Sequence, residues 1–143
     1  MIILRLSQPA DTPALADIWT RSVRATHHFL DEAAFEEISQ IVTKTYLPAA
    51  PLWVAEHEGG IAGFMGLTGP HIDSLFLDPD LRGQGIGRQL VEHAFALNSG
   101  QSVDVNEQNP EATAFYKHMG FRVVRRSETD DQGRPFPILH LTR

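Results

Sequence analysis

Apolar and polar residues along this chain repeat with two periods, which separate candidate helices from candidate strands. Four segments with apolar residues at three- and four-residue steps predict helices, and seven short apolar runs predict strands. The strands are expected at 2–6, 52–57, 61–67, 72–77, 102–105, 121–126 and 138–141, and the helices open at Thr12, Asp31, Gly85 and Asn109. The predicted order of elements is therefore β-α-α-β-β-β-α-β-α-β-β.

Residues that favour helix ends agree with this order. Thr12 stands before a proline and is expected to cap the first helix, while Asp31 and Asn109 are suited to cap the second and the fourth. Gly120 follows the fourth helix, where a left-handed residue commonly ends a helix. The segment 58–60, Glu-Gly-Gly, lies between two apolar runs and predicts a hairpin.

Length and composition describe an ordinary globular chain. With 143 residues, of which 42% are hydrophobic, it can bury one core, and a single domain over residues 1–143 is expected. It has no cysteine, which excludes disulfides and thiolate metal sites. The formal net charge of −6 argues against a nucleic-acid partner. No apolar run is long enough to cross a membrane, and we expect a cytoplasmic protein.

The stretch LRGQGIG, residues 81–87, places three glycines and an arginine between a candidate strand and a candidate helix. A Walker A loop needs Lys-Ser/Thr after its last glycine, and Arg88-Gln89 stands there instead. The dinucleotide fingerprint would need a glycine at position 88 and an opening β-α-β unit, and it has neither. The pattern that fits is Arg-x-x-Gly-x-Gly, formed by Arg82, Gly85 and Gly87.

Such a loop at the start of a helix is suited to bind a pyrophosphate. Main-chain N–H groups point outward there, the helix dipole favours an anion, and glycines let the anion approach closely. Arg82 can add a charge-assisted contact. The alternative interpretation is that the glycines only allow a tight turn between the strand and the helix.

A second motif is the stretch NPEATAFYKHMGF, residues 109–121. Together with LFLDPDLRGQGIG it resembles the two signatures of the Gcn5-related N-acetyltransferase (GNAT) superfamily, in the order in which that family has them. RSVRATHHFL, LPAAPLWVA and VNEQN are similar to the small bacterial YjaB-like acetyltransferases of that superfamily. The resemblance covers essentially the whole chain. It implies the GNAT fold, which is an α/β (α+β) fold with a mixed central sheet of about seven strands.

The resemblance also implies acetyl-CoA as the cosubstrate. In this family the pantetheine arm lies between two splayed strands, here 72–77 and 102–105, and Leu75, Phe76 and Leu77 would line it. The pyrophosphate would be held by the loop and the first helical turn, with contacts from Arg82, Gly83, Gln84, Gly85, Ile86, Gly87 and Arg88. Asn109 would reach the cofactor arm, and a purely structural cap is its alternative role.

Tyr116 occupies the position that the resemblance assigns to a general acid, and it would also contact the cofactor. Attack of an amine on the thioester expels a thiolate, and a phenol within hydrogen-bond reach can protonate that sulfur. The alternative is a tyrosine whose ring is buried between helix and sheet.

The attacking amine must lose a proton, because a lysine-like amine has a pKa of about 10.4 and is protonated at neutral pH. His71 and Asp73 stand two residues apart, on one face of a regular strand, and are the candidates for the base. Glu107 is a third candidate. No metal site is expected.

The sequence does not identify the acceptor, because a protein lysine and a small-molecule amine both fit this chemistry. It does not distinguish a monomer from a homodimer either. His27, His28 and Phe29 lie where the resemblance places the acceptor side, and a solvated loop is the alternative. A non-catalytic acyl-CoA sensor is the alternative function, although a chain that keeps both the glycine loop and the tyrosine favours an enzyme. Acetylation of charged tRNA is disfavoured by the negative net charge.

Overall fold

The protein is described by a computed structural model that covers residues 1–49 and 51–143. Its strands are β1 (Ile2–Leu6), β2 (Trp53–His57), β3 (Gly60–Thr68), β4 (His71–Leu77), β5 (Ser102–Asn106), β6 (Arg122–Ser127) and β7 (Ile138–Thr142). Its helices are α1 (Thr12–Thr26), α2 (Glu32–Ile41), α3 (Leu47–Ala49), α4 (Ile86–Leu97) and α5 (Pro110–His118). The predicted order of elements is confirmed, with the short α3 as an addition.

The seven strands form one mixed sheet in the order β1-β2-β3-β4-β5-β7-β6. The pairs β1–β2, β2–β3, β5–β7 and β6–β7 are antiparallel. Strands β4 and β5 are parallel, with His71 opposite Ser102 and Ile72 opposite Val103. The predicted fold class, a mixed sheet with helices, is therefore confirmed.

The chain divides into two compact units, and the first comprises residues 1–66 and 74–92. Its core joins one side of α1 and α2 to β2 and β3, because apolar residues recur there at helical spacing in the helices and at alternate positions in the strands. The buried core residues are Leu15, Ile18, Trp19, Val23, Phe35, Leu47, Leu52, Val54 and Phe64.

The second unit comprises residues 67–73 and 93–143. Val103 and Val105 alternate along β5 with Ser102 and Asp104, so one face of this strand is buried and the other is polar. Phe121 is buried and stacks on Phe95, with 5.8 Å between the ring centroids. That the two units form a single domain over residues 1–143 stays a prediction. Within the described ranges, no helix is long and apolar enough to cross a membrane.

The helix ends follow the sequence at three of four positions. Asp31 Oδ1 accepts a hydrogen bond from the Ala34 N–H at 2.7 Å. Asn109 caps α5 in the same way, and Gly120 has the left-handed φ of 98° that was expected after that helix. The prediction for Thr12 is wrong, because Thr12 lies inside α1 and Asp11 precedes the helix.

Apolar residues continue at helical spacing from Phe35 to Tyr46, but the second helix ends before Tyr46. Helix α2 ends at Ile41, and a π-helical turn over Val42–Tyr46 leads into α3. This turn brings the Tyr46 hydroxyl to 2.7 Å from Ser74 Oγ, which also accepts the Gly66 N–H at 3.0 Å.

Substitution of Gly66 tests this contact. In Gly66→Ala the new Cβ would collide with the Tyr46 hydroxyl and lie 2.9 Å from Ser74 Oγ, within the first unit. We expect a loss of about 1–3 kcal/mol in the free energy of unfolding, measured by urea denaturation, because the Tyr46 and Ser74 side chains must move from their hydrogen-bonded positions to make room. Gly60→Ala, on the same strand, is the control, since its Cβ meets only a carbonyl oxygen at 3.9 Å. Equal stability of the two variants would contradict the prediction.

Candidate active site

The glycine loop between β4 and α4 has the geometry of an open anion site. Gly83 and Gly85 both have φ of 79°, a left-handed conformation that other residues rarely adopt. A Cβ built at either position meets nothing within 4 Å, so the space above the loop is open. Helix α4 begins at Ile86, directly after the loop, and leaves its first N–H groups unpaired within the helix. These residues therefore fit a pyrophosphate.

The other loop residues divide into exposed and buried ones. Arg82, Gln84 and Arg88 are exposed, and Arg88 Nη1 lies 3.8 Å from a Glu92 carboxylate oxygen. Ile86 and Gly87 are buried in the first turn of α4. Their contribution to an anion site is consequently limited to main-chain N–H groups.

Strand β4 was expected to line the cofactor arm with three side chains. Phe76 packs instead towards the core of the first unit, with its ring centroid 5.6 Å from that of Phe64 and 6.5 Å from that of Trp19. The Leu77 side chain lies over Gly63 of β3, where a Cβ would come within 2.7 Å of it. Phe76 is thus a core residue of the first unit, and its main chain is the part suited to a ligand.

A bidentate ion pair that the sequence did not predict fixes the end of β4. Arg21 on α1 donates to both Asp78 carboxylate oxygens, at 2.8 Å and 3.0 Å. Asp78 also accepts the Asp80 N–H at 2.9 Å, and its own N–H donates to the Ala62 carbonyl oxygen at 2.8 Å. The Arg21 guanidinium lowers the pKa of Asp78, which keeps the pair charged. The sequence Asp78-Pro79 is typical of a strand end, but nothing in the sequence near Asp78 indicates that it pairs with Arg21.

At the end of α1, His27 has a defined tautomer. The Thr26 hydroxyl donates to the Ser22 carbonyl oxygen at 2.8 Å, so its oxygen is left to accept a hydrogen bond from His27 Nδ1, also at 2.8 Å. The His27 ring contacts Phe29, with 5.3 Å between centroids. Burial, with a smaller contribution from His28, lowers the pKa of His27 to about 4. His27 is therefore a neutral, partly buried imidazole, while His28 is exposed.

Tyr116 on α5, in the second unit, is buried apart from 6% of its surface. Its ring meets those of Phe115 and Phe121 edge-on, at 5.1 Å and 5.3 Å. Burial raises the pKa of the phenol, so the group stays protonated at neutral pH. Its hydroxyl has no hydrogen-bond partner among the described residues. A ring that is buried between helix and sheet and a phenol that donates a proton are therefore compatible roles for Tyr116.

Asn109 is buried, and its Oδ1 accepts the Ala112 N–H at 3.2 Å as the cap of α5. The structural role is therefore present. A ligand could meet this side chain through the Nδ2 amide group, which the cap does not use.

The three candidates for the base lie in different surroundings in the second unit. Glu107 accepts two hydrogen bonds from Arg126, at 2.6 Å and 3.1 Å, and this arginine lowers the pKa of Glu107, which makes it a weaker base. Asp73 accepts the hydroxyl of Thr68 at 2.5 Å. His71 Nδ1 lies 2.8 Å from the oxygen of a serine hydroxyl on β5.

Among residues 1–49 and 51–143, no group of three or more His, Cys, Asp or Glu side chains is placed to hold a metal ion.

A family model described as acetyltransferase (GNAT) domain matches residues 48–123. The peptidyl-lysine N-acetyltransferase YjaB of Salmonella typhimurium is 53% identical over 142 residues, which is 99% of this chain and 97% of that relative. The protein of the same name from Escherichia coli is 49% identical over 142 residues, 99% of this chain and 96% of that relative. The solution structure of apo-form YjaB from Escherichia coli matches with a TM-score of 0.94 and 48% identity, over 99% of this chain and 97% of that one.

The neutral state of His27 predicts a pH dependence of stability. The folded chain holds this imidazole at a pKa of about 4, below its ordinary value of 6.5, so the unfolded chain binds the proton more readily. The contribution to stability is complete above pH 6.5 and is lost as the pH falls towards 4, by at most about 3 kcal/mol. In His27→Gln we expect a smaller decrease of Tm between pH 7 and pH 4.5 than in the wild type. His118→Gln, at an exposed site on α5, is the control, and a decrease equal to that of the wild type in both variants would contradict the prediction.

Proposed function

The chain belongs to the GNAT acetyltransferase family, and from that membership we propose that its acceptor is the side-chain amine of a lysine in a protein or peptide. The family resemblance of the two motifs is confirmed, and the chain is an acetyl-CoA-dependent N-acetyltransferase. One observation carries the choice of acceptor. The two relatives at 53% and 49% identity, both matched over nearly their full length, are named peptidyl-lysine N-acetyltransferases.

The proposed binding residues for acetyl-CoA follow from the geometry of each unit. When bound, acetyl-CoA supplies the acetyl thioester. The main-chain N–H groups of residues 83–88 would hold its pyrophosphate, with Arg82 as a charged contact. The main chain of β4 at Leu75–Leu77 would pair with the pantetheine arm, as in strand addition. Asn109 would contribute its Nδ2 group.

Tyr116 is the proposed general acid. As the amine nitrogen forms its bond to the acetyl carbon, the carbon–sulfur bond breaks and the sulfur takes the phenolic proton. The nitrogen releases one proton to solvent as the amide forms, and one proton from solvent restores the phenol. Burial raises the pKa of Tyr116, so the phenol is protonated, and thus in the form that can donate, at neutral pH. No acyl group is carried by the protein in this direct attack.

His71 is the proposed base for the amine. Glu107 is held in its charged form by Arg126, and Asp73 has the Thr68 hydroxyl on one of its oxygens. His71, by contrast, is an imidazole with a nearby carboxylate, since its Nε2 lies 3.8 Å from Asp104 Oδ2. A carboxylate beside one ring nitrogen leaves the other nitrogen as the atom that can accept a proton.

The remaining expectations stay predictions. The net charge of −6 disfavours nucleic acid and would draw a cationic lysine peptide towards the protein. Three further expectations also stay predictions: a cytoplasmic location, a monomer or homodimer, and an acceptor placed near His27, His28 and Phe29.

A panel of amines tests the proposed function. The wild-type protein is incubated with acetyl-CoA and lysine peptides, free lysine, a polyamine or an amino-terminal peptide, and free thiol and peptide mass are followed. We expect transfer to the lysine ε-amine of peptides. Tight binding of acetyl-CoA without transfer to any amine would favour the sensor alternative.

A charge at Gly85 tests the glycine loop. Asn and Asp have nearly the same shape, and both adopt the left-handed conformation that this position requires. We expect Gly85→Asp to weaken acetyl-CoA binding at least tenfold more than Gly85→Asn, because the carboxylate repels the pyrophosphate. Titration calorimetry measures the acetyl-CoA affinity of each variant. Acetyl-CoA at 100 times its dissociation constant should also raise the free energy of unfolding of the wild type by roughly 2.7 kcal/mol.

The control for this test is Gly133→Asp in the turn before β7, where φ is 76° and a Cβ also meets nothing. Its acetyl-CoA affinity should equal that of the wild type. If Gly85→Asp and Gly85→Asn bind equally well, the loop is only a turn.

Tyr116→Phe tests the general acid. The ring and its contacts with Phe115 and Phe121 are retained, so Tm and acetyl-CoA affinity should change little. We expect kcat on a lysine peptide to fall by about 10², the low end of the range for general acid catalysis, since water can partly replace the phenol. Unchanged kcat would remove Tyr116 from the mechanism.

A further inference from the structure

The polar face of β5 carries a hydrogen-bonded group that spans four strands of the second unit. Its centre is Asp104, whose two carboxylate oxygens face two different histidines. Asp104 Oδ1 lies 2.6 Å from His140 Nδ1 on β7, and Asp104 Oδ2 lies 3.8 Å from His71 Nε2 on β4. His71 Nδ1 lies 2.8 Å from Ser102 Oγ. At the far end, His140 Nε2 lies 2.7 Å from Ser127 Oγ on β6.

Strand register explains why these side chains meet. Ser102 and Asp104 are two residues apart and share one face of β5, opposite the buried Val103 and Val105. His71 is the parallel partner of Ser102, and His140 is the antiparallel partner of Asp104. Asp104 directly follows Val103, which pairs with Ile72 on β4. The sequence alone could not show this, because the four residues come from three distant segments.

The carboxylate determines which nitrogen of His71 carries the proton. A lone pair on Nε2 would face a negative oxygen, whereas an N–H there is attracted to it, so the Nε2–H tautomer is favoured. Nδ1 then holds the lone pair and accepts the Ser102 hydroxyl proton. The basic atom of His71 is therefore Nδ1, and the Ser102 hydroxyl is the group in contact with it.

We propose that Ser102, His71 and Asp104 form a proton relay that deprotonates the acceptor amine, an inference that rests on the proposed function. The Ser102 oxygen takes a proton from the ammonium group while its own proton passes to His71 Nδ1. The amine becomes neutral, the imidazole becomes imidazolium, and the hydroxyl is restored. Asp104 Oδ2 faces the Nε2 side of the ring throughout, and the imidazolium returns its proton to water before the next turnover.

His140 has a positioning role in this relay. Its Nδ1–H donates to Asp104 Oδ1, while its Nε2 accepts the Ser127 hydroxyl proton, which fixes the ring and its tautomer. Asp104 is thereby oriented with Oδ2 towards His71. Asp104 is 46% exposed and His71 is 34% exposed, so water can reach the relay to remove the proton.

The first test separates the hydroxyl from the shape of the side chain. In Ser102→Ala we expect kcat for acetyl transfer to a lysine peptide to fall roughly tenfold to a hundredfold, with KM for acetyl-CoA unchanged. Ser102→Thr keeps the hydroxyl and suits a strand, so it should retain most of the activity. Ser99→Ala, at an exposed loop serine of the same unit, is the control. If the wild type transfers acetyl groups and Ser102→Ala does so at the same rate, the relay is wrong.

The second test needs no activity. Nitrogen-15 NMR of the imidazole rings, at a pH where they are neutral, distinguishes Nε2–H from Nδ1–H tautomers. We expect His71 to be in the Nε2–H form in the wild type and to shift towards a mixture in Asp104→Asn, with Asp131→Asn, at an exposed turn residue, as the control. An Nδ1–H form in the wild type would overturn the relay. A wild type with this tautomer but without transfer to any amine would instead contradict the proposed function.

Discussion

The ion pair between Arg21 and Asp78 is the contact on which the candidate cofactor site of the first unit depends. Asp78 is the residue at which β4 stops and the chain turns towards the glycine loop. Its side chain is held by Arg21 from α1, and its main chain by Ala62 of β3. Both side chains are partly exposed, so the pair contributes little to the free energy of unfolding. Its importance is geometric, because two parallel hydrogen bonds define a direction as well as a distance.

That constraint allows a short, glycine-rich loop to present its main chain. The left-handed conformations of Gly83 and Gly85 are set by local chemistry, and this is why the sequence could predict the loop. The caps at Asp31 and Asn109 were predictable for the same reason, since each acts within three residues of itself. The prediction that Thr12 caps the first helix relied on the same kind of local pattern and was wrong. The Asp11 side chain accepts hydrogen bonds from Arg5 and from the Gln8 N–H, and α1 begins directly after it, at Thr12.

Features that depend on contacts between distant residues could not be predicted from the sequence. Tyr46 continues the apolar spacing of α2, yet the π-helical turn places its hydroxyl on Ser74, far along the chain. The family resemblance placed Phe76 beside the cofactor arm, but its local sequence could not show that its ring packs against those of Trp19 and Phe64. Likewise, the group around Asp104 exists only because strand register joins β4, β5 and β7. Periodicity predicts elements, whereas register and packing determine which polar groups meet.

The two proposed proton-transfer groups of the second unit illustrate the consequence for chemistry. Tyr116 and His71 can each give or accept a proton, so residue type alone does not assign their roles. Burial among aromatic rings removes Tyr116 from water and raises its pKa, so the phenol keeps its proton at neutral pH. His71 lies on a polar face beside a carboxylate near Nε2, which leaves Nδ1 as the atom that can accept a proton. The proposed roles of donor and acceptor therefore follow from the surroundings of each group rather than from its residue type.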